Sequence, residues 1–407
     1  MTPPPEIRHS VSEPGRGGSA AEVFRVFLRL GLTSFGGPIA HLGYFRDELV
    51  TRRGWLDDRT YGDLVALCQF LPGPASSQTG FALGLMRAGW PGALAAFAGF
   101  TLPSAVALVL VAVSAGRIGG PLGDGVLHGL KLVAVAVIAQ AVLGMARSLC
   151  PDRERALIAV GAVAVLAVAP GTAGMIGAIG LGALAGLALG RGAATDGAPL
   201  ALRVSRRAGL VALGLFAALL LLPPLLAGQS QAVAVFDAFY RAGALVFGGG
   251  HVVLPMLEAG VVRPGWVTEG QFLAGYGAAQ AVPGPLFTVA AYLGAVLGPW
   301  PNGLAGAVLA LAAVFLPGFL ILIGVLPFWD ALRGQPAARS AMQGANAAVV
   351  GVLGAALYAP VFTGSVAGLA DLALALLCFV LLVAWKAPPW SVVLLGGLGG
   401  AALALAG

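Results

Sequence analysis

Phe35-Gly36-Gly37-Pro38 returns, almost unchanged, as Phe247-Gly248-Gly249-Gly250. The residues ahead of it return too. Phe24, Phe27, Arg29 and Gly31 are matched by Phe236, Phe239, Arg241 and Gly243, each pair 212 positions apart (247 − 35). An apolar segment that carries one arginine and then breaks at a glycine pair is used twice. A second signature follows each copy. Gln69-Phe70-Leu71-Pro72-Gly73-Pro74 is matched by Gln280-Ala281-Val282-Pro283-Gly284-Pro285 at an offset of 211, as Trp55 is by Trp266. Leu102-Pro103 aligns with Leu316-Pro317.

Composition says what solvent these copies live in. The chain of 407 residues is 58% hydrophobic and 10% charged, with a mean hydropathy of +0.92. A soluble domain carries about 25% charge. Residues 157–190 and 208–227 are long apolar runs, long enough to cross a hydrocarbon core of about 30 Å. They are apolar on every face, whereas a closed barrel needs alternation. The chain therefore reads as an all-α polytopic membrane protein. Cys68, Cys150 and Cys378 are far apart and show neither disulfide nor metal spacing. Residues 1–20 are rich in Pro, Gly, Ser and charge and read as a disordered tail, not a signal peptide.

Helical periodicity covers residues 21–32 and stops at the glycines. A charged loop with Arg46, Arg52, Arg53 and Arg59 comes next. Residues 61–71 form an apolar helix too short to span alone. It breaks at Pro72-Gly73-Pro74 and restarts over 75–86, because proline cannot continue the helix before it. This is a discontinuous or re-entrant pair. Spans are expected at 91–115, 124–150, 156–170 and 171–190. A basic linker and one connecting span occupy 191–232. The second copy runs over 233–407, with a broken helix 271–282 and 286–297 and spans near 302–328, 340–362, 366–386 and 389–406.

Charge sets the orientation. Eighteen of the 23 Lys and Arg lie in residues 1–207. With basic loops placed inside, the tail and the loops at 46–59, 147–155 and 191–207 are cytoplasmic. The single connecting span then inverts the second copy. Its version of the charged loop, 258–269, keeps only Arg263, while Arg333, Arg339 and Lys386 return to the inside. The two copies, 21–190 and 233–407, are thus expected to be inverted-topology repeats.

Inverted repeats with helices broken at matching places are the signature of a secondary transporter whose site lies near the midplane. A helix that restarts inside a membrane presents free N–H groups and the positive end of its dipole. Such ends are tolerated where they line a cavity, and they bind anions. The restart after Pro74 carries Ser76, Ser77 and Gln78. Arg29 and Arg241 stand just before the glycine breaks. An arginine in a span costs roughly 2.5–3.5 kcal/mol and is a functional candidate; its planar fork suits a tetrahedral oxyanion. The alternative is that Arg29 snorkels and Arg241 pairs with Asp237. The candidate substrate-binding set is Arg29, Gly36, Gly37, Gln69, Gly73, Ser76, Ser77, Gln78, Arg241, Gly248, Gly249, Gln280 and Gly284. His41 and His251 lie near the breaks, and His128 with Lys131 reads as an interfacial anchor. No HExxH, GxSxG or P-loop pattern is present, so no enzymatic activity, cofactor or metal is expected.

At these residues the sequence resembles the chromate ion transporter family in its long two-domain form. The motifs are Leu30-Gly31-Leu32-Thr33-Ser34-Phe35-Gly36-Gly37-Pro38 with His41, Arg52-Arg53-Gly54-Trp55-Leu56, Gln69 to Pro74 with Gln78, Phe247 to His251, Ala279 to Pro285, and Asn346-Ala347-Ala348-Val349-Val350-Gly351. The resemblance implies export of chromate across the bacterial inner membrane, and resistance to it. Ser77-Gln78-Thr79-Gly80 departs from it, since a more apolar residue is expected after the glutamine. Sulfate, chromate's mimic in shape and charge, is the alternative substrate, and an intramembrane enzyme acting on lipid phosphates is a remote one. The expected partners are the oxyanion, the lipid bilayer and a second copy of the chain in a homodimer, with no nucleic acid.

Overall fold

The computed structural model describes residues 17–115, 120–191, 204–246, 250 and 253–406. The chain is helical, in the order α1 (Ala20–Thr33), α2 (Gly37–Phe45), α3 (Asp58–Phe70), α4 (Ala75–Ala115), α5 (Pro121–Leu149), α6 (Arg153–Val168) and α7 (Thr172–Leu189). Next come α8 (Arg206–Leu221), α9 (Pro223–Leu226), α10 (Gln231–Ala244), α11 (Val253–Leu257), α12 (Glu269–Ala281) and α13 (Val289–Ala295). The last are α14 (Gly303–Val325), α15 (Trp329–Arg333), α16 (Pro336–Ala356), α17 (Leu369–Val383) and α18 (Pro389–Ala406). Among the described residues, six helical segments are long and apolar enough to cross a membrane. Large side chains on their outer faces stay uncovered, including Leu110, Leu184, Leu210 and Val308. In water that would be a liability; against lipid tails it is the expected surface.

Local chemistry sets the helix ends. Ser19 accepts from the Glu22 N–H at 3.1 Å and starts α1. Asp57 does the same for α3 through Thr60, and Thr268 with Gln271 forms a capping box on α12. The expected gap between 86 and 91 is a sharp turn. Ala88 and Gly89 leave helical dihedrals, with Gly89 at φ +64°. The two arms of α4 fold back so that Gly84 lies against Gly92 and Ala96. The helix after the first glycine pair was not expected. After Gly36, at φ +100°, the chain enters α2 with Pro38 in its first turn. Proline's fixed φ and missing donor suit that position, so the glycine pair ends one helix and begins another. A π-helical turn, Arg46–Arg52, carries the chain out of α2.

Packing places equivalent elements in equivalent contacts. α1 lies on α4, and α10 lies on α14. The terminal helices are exchanged. α17 and α18 pack on α5 of the first copy, while α6 and α7 pack on α16 of the second. Glycine lets both crossings close. Gly129 meets the Gly396 backbone, and Gly344 meets Gly182 and Gly186, the small-residue contact that brings membrane helices together. α14 and α16 form the centre, with more than half of their apolar stretches buried; α8 is peripheral and largely uncovered. An aromatic seam joins the copies: Phe81 stacks on Phe319 at 4.5 Å between centroids, and Phe97 meets Phe315 at 5.1 Å.

Candidate functional site

The two Pro-Gly-Pro breaks are seated on the opposite copies. Helix α3 ends as Leu71 turns extended, and Gly73 follows at φ +118°. Its N–H donates to the carbonyl oxygen of Val246 at 2.7 Å. In the second copy Gly284, at φ +103°, donates to the carbonyl oxygen of Ser34 at 2.9 Å. Ser34 and Val246 are the residues just before the two Phe-Gly-Gly breaks, again 212 positions apart. Only glycine serves at 73 and 284. The dihedrals are left-handed, and a Cβ would lie 3.0 Å from Gly318 Cα in one case and 2.9 Å from Ser104 Oγ in the other.

Beside Gly284 lies a cavity of about 240 Å³ between α5, α12 and the link from α17 to α18. Its polar lining is Gln140, Gln280, Lys386 and the backbone at Gly36, Gly37 and Gly284. None of its described lining residues is a carboxylate. Lys386 forms no ion pair among the described residues. The start of α2 at Gly36–Gly37 adds free N–H groups and a partial positive charge. One ammonium, two carboxamides and a helix start give a wall that favours an anion.

Behind that wall the first copy is polar. Ser34, His41, Ser76, Ser77, Gln78, Thr101 and Ser104 are each no more than 3% exposed. His41 Nδ1 lies 3.4 Å from Ser76 Oγ, and its ring packs edge-on against Phe100. Gln78 Nε2 donates to the Pro72 carbonyl at 3.0 Å and to the Gly318 carbonyl at 2.9 Å. It thereby ties the first break to α14.

The chromate transporter family's sequence pattern matches residues 21–188 and 233–401. The chain belongs to the chromate transporter family. It is 30% identical over 340 residues to a chromate transport protein of Pseudomonas aeruginosa, covering 83% of this chain and 80% of that one. It is 29% identical over 333 residues to a chromate transport protein of Cupriavidus metallidurans, covering 80% and 79%. An uncharacterized transporter of Methanocaldococcus jannaschii is 25% identical over 325 residues, covering 77% and 78%. No solved structure matches.

The polar groups of the cavity divide between the two matched segments. Gly36, Gly37 and Gln140 come from the first; Gln280, Gly284 and Lys386 come from the second. Of the residues expected from this transporter's sequence, Gly36, Gly37, Gln280 and Gly284 meet in the cavity. Gly73, Ser76, Ser77 and Gln78 lie buried around the first break. Arg29 and Gln69 are exposed. Arg241 lines a separate cavity of about 280 Å³ with Trp266, where its Nε meets Asp237 Oδ1 at 2.7 Å. Gly248, Gly249 and His251 lie outside the described residues. His128 pairs with Asp371 at 2.8 Å across the α5–α17 contact. Sequence reasoning missed Gln140 as a site residue, and it used Lys386 only as a marker of orientation. The available signal for Lys386 was its isolation, the only charged residue between Asp371 and the end of the chain.

Proposed function

We propose that this multi-pass membrane protein transports chromate, a tetrahedral dianion, outward across the bacterial inner membrane and so confers resistance to it. The observation that carries this reading is an unpaired ammonium in a carboxylate-free cavity that lies against the second Pro-Gly-Pro break. The family's name and those of its chromate transport relatives supply the substrate. Inverted repeats fit the exchanged packing and the paired breaks, as alternating access about a midplane site requires. The charge pattern supports a cytoplasmic position for Lys386, the side on which an exporter loads. Moving two negative charges outward against an inside-negative potential releases roughly 4.6 kcal/mol per 100 mV. Export therefore needs no coupled cation on energetic grounds. Sulfate shares the shape and charge that this wall reads and is the competing substrate.

The test is uptake of labelled chromate into inside-out vesicles with pH and potential clamped separately. Saturable uptake that grows with a positive interior potential, and that excess sulfate reduces, is expected. Uptake no greater than in vesicles lacking the protein would remove the reading.

A further inference from the structure

The two copies are not polar in the same places. The repeat offsets pair Ser34 with Val246 and His41 with Val253, Ser76 with Phe287 and Gln78 with Val289, and Thr101 with Phe315 and Ser104 with Gly318. The offsets are those of the flanking landmarks, Phe35 and Phe247, Pro72 and Pro283, and Pro103 and Pro317. Val246, Val253, Phe287, Val289 and Phe315 are all at most 2% exposed. The same buried positions are thus filled by apolar side chains in one copy and by hydroxyls, an amide and an imidazole in the other. Packing alone does not require polarity there. Among the described residues, Ser34 Oγ, Gln78 Oε1 and Thr101 Oγ1 are buried with no hydrogen-bond partner in the protein. Groups of this kind destabilise a fold unless something pairs with them.

These side chains lie directly behind the cavity wall. Gly284, which lines the cavity, bonds to the Ser34 backbone and faces Ser104 Oγ. Gly37, also in the lining, is the first residue of α2, and His41 is one turn further on. His41 meets Ser76 in the first turn of α4. Two helix starts, of α2 and α4, therefore flank the cluster with their positive ends. In the tautomer whose Nδ1 accepts from Ser76, His41 Nε2–H is a donor.

We propose that Ser34, His41, Ser76 and Ser104 form an inner station for a desolvated tetrahedral oxyanion, built by the first copy alone. The inference rests on the transport reading and adds a second stop to its path. Lys386 attracts the hydrated dianion into the cavity, and the inner station holds it by neutral donors after water is stripped away. Hydrogen bonds to an ionised acceptor are the strong ones, so uncharged donors are sufficient. In this structure the Gly284–Ser34 hydrogen bond, the His41–Ser76 contact and the bond from the Ser104 hydroxyl to the Thr101 carbonyl at 3.1 Å close the station. Opening exchanges them for bonds to the anion. The second copy has Val246, Val253, Phe287 and Gly318 at the equivalent places and offers no such stop.

The test uses substitutions that copy the other half of the chain. His41→Val and Ser104→Gly install residues this fold already accepts at the equivalent positions. Chromate uptake into inside-out vesicles is expected to fall at least tenfold in each, with equal protein in the membrane. The thermal shift that chromate induces in the purified protein through the Lys386 cavity is expected to persist. His41→Gln, which keeps a donor, is expected to recover part of the uptake, which a purely structural role would not do. If His41→Val fails to accumulate, Ser34→Ala, Ser104→Gly and His41→Gln decide. Uptake within twofold of the unaltered protein in all three overturns the inner station. Absence of chromate uptake by the unaltered protein would instead strike the transport reading.

Discussion

The backbone N–H of Gly73 donates to the carbonyl oxygen of Val246, 173 residues away, at 2.7 Å. Its counterpart, Gly284 to Ser34, closes the same bond in the opposite sense at 2.9 Å. Broken helix ends leave backbone groups without partners, and these are expensive in a membrane. Here each Pro-Gly-Pro break satisfies one such group on the other copy's glycine break. The two breaks hold each other, and a displacement of one copy against the other must disturb both bonds.

Gly73→Ala should destabilise the protein. Its φ of +118° disfavours any side chain, which alone costs roughly 1–3 kcal/mol. The new Cβ would also lie 3.0 Å from Gly318 Cα, a backbone atom that cannot rotate away. At Gly284 the nearest obstacle is the Ser104 hydroxyl, which can turn. Thermal unfolding in detergent should rank Gly73→Ala below Gly284→Ala, and both below the unaltered protein. Equal midpoints for all three would contradict this account of the breaks.

Lys386→Glu should raise the chromate concentration for half-maximal uptake at least tenfold, because it reverses the only side-chain charge among the described residues of the cavity lining. Lys386→Arg should stay close to the unaltered protein. The gap between the Glu and Arg variants should narrow as ionic strength rises, since Lys386 is exposed at the rim and salt screens such charges. Unchanged half-saturation in Lys386→Glu would remove the lysine from the path.

Gly344→Leu should prevent assembly of the bundle. Any Cβ there runs into the backbones of Gly182 and Gly186, and overpacking typically costs about 1–3 kcal/mol even where neighbours can shift. Gly177→Leu, on α7, the helix that Gly344 of α16 packs against, but with no atom within 4 Å of its Cβ position, is the control. Size-exclusion profiles in detergent should show aggregated or missing protein for the first and a single monodisperse peak for the second.

Arg241 is tied to Asp237 at 2.7 Å and to the Leu220 carbonyl at 3.4 Å. Arg241→Met leaves a half-buried carboxylate without its partner and should lower the thermal midpoint. Asp237→Leu added to it should recover most of the loss. If the pair is structural, the double variant takes up chromate. A double variant that is stable yet inactive would return Arg241 to the anion path.

Several features were legible in the residues alone. The long uncharged runs determined a helical membrane protein, because the solvent preference of a segment is a local property. The positions of the breaks followed from proline's missing donor and glycine's freedom at Gly36, Gly73 and Gly284, which are also local. Even α2, not foreseen, had its signal in Pro38 directly after a glycine pair. The anion wall was not legible. Gln140 and Lys386 are 246 positions apart, and they line one cavity because α17 and α18 pack across the copies on α5. Arg241 could be read as an anion ligand or as Asp237's partner, and the one-turn spacing permits both; only the folded side chains show the pair. Phe35-Gly36-Gly37-Pro38 and its twin thus determined by themselves that the chain breaks twice in matching places. That each break meets the other copy's Pro-Gly-Pro was decided by tertiary structure, because a backbone hydrogen bond across 173 residues depends on how whole helices dock and leaves no local trace in the chain.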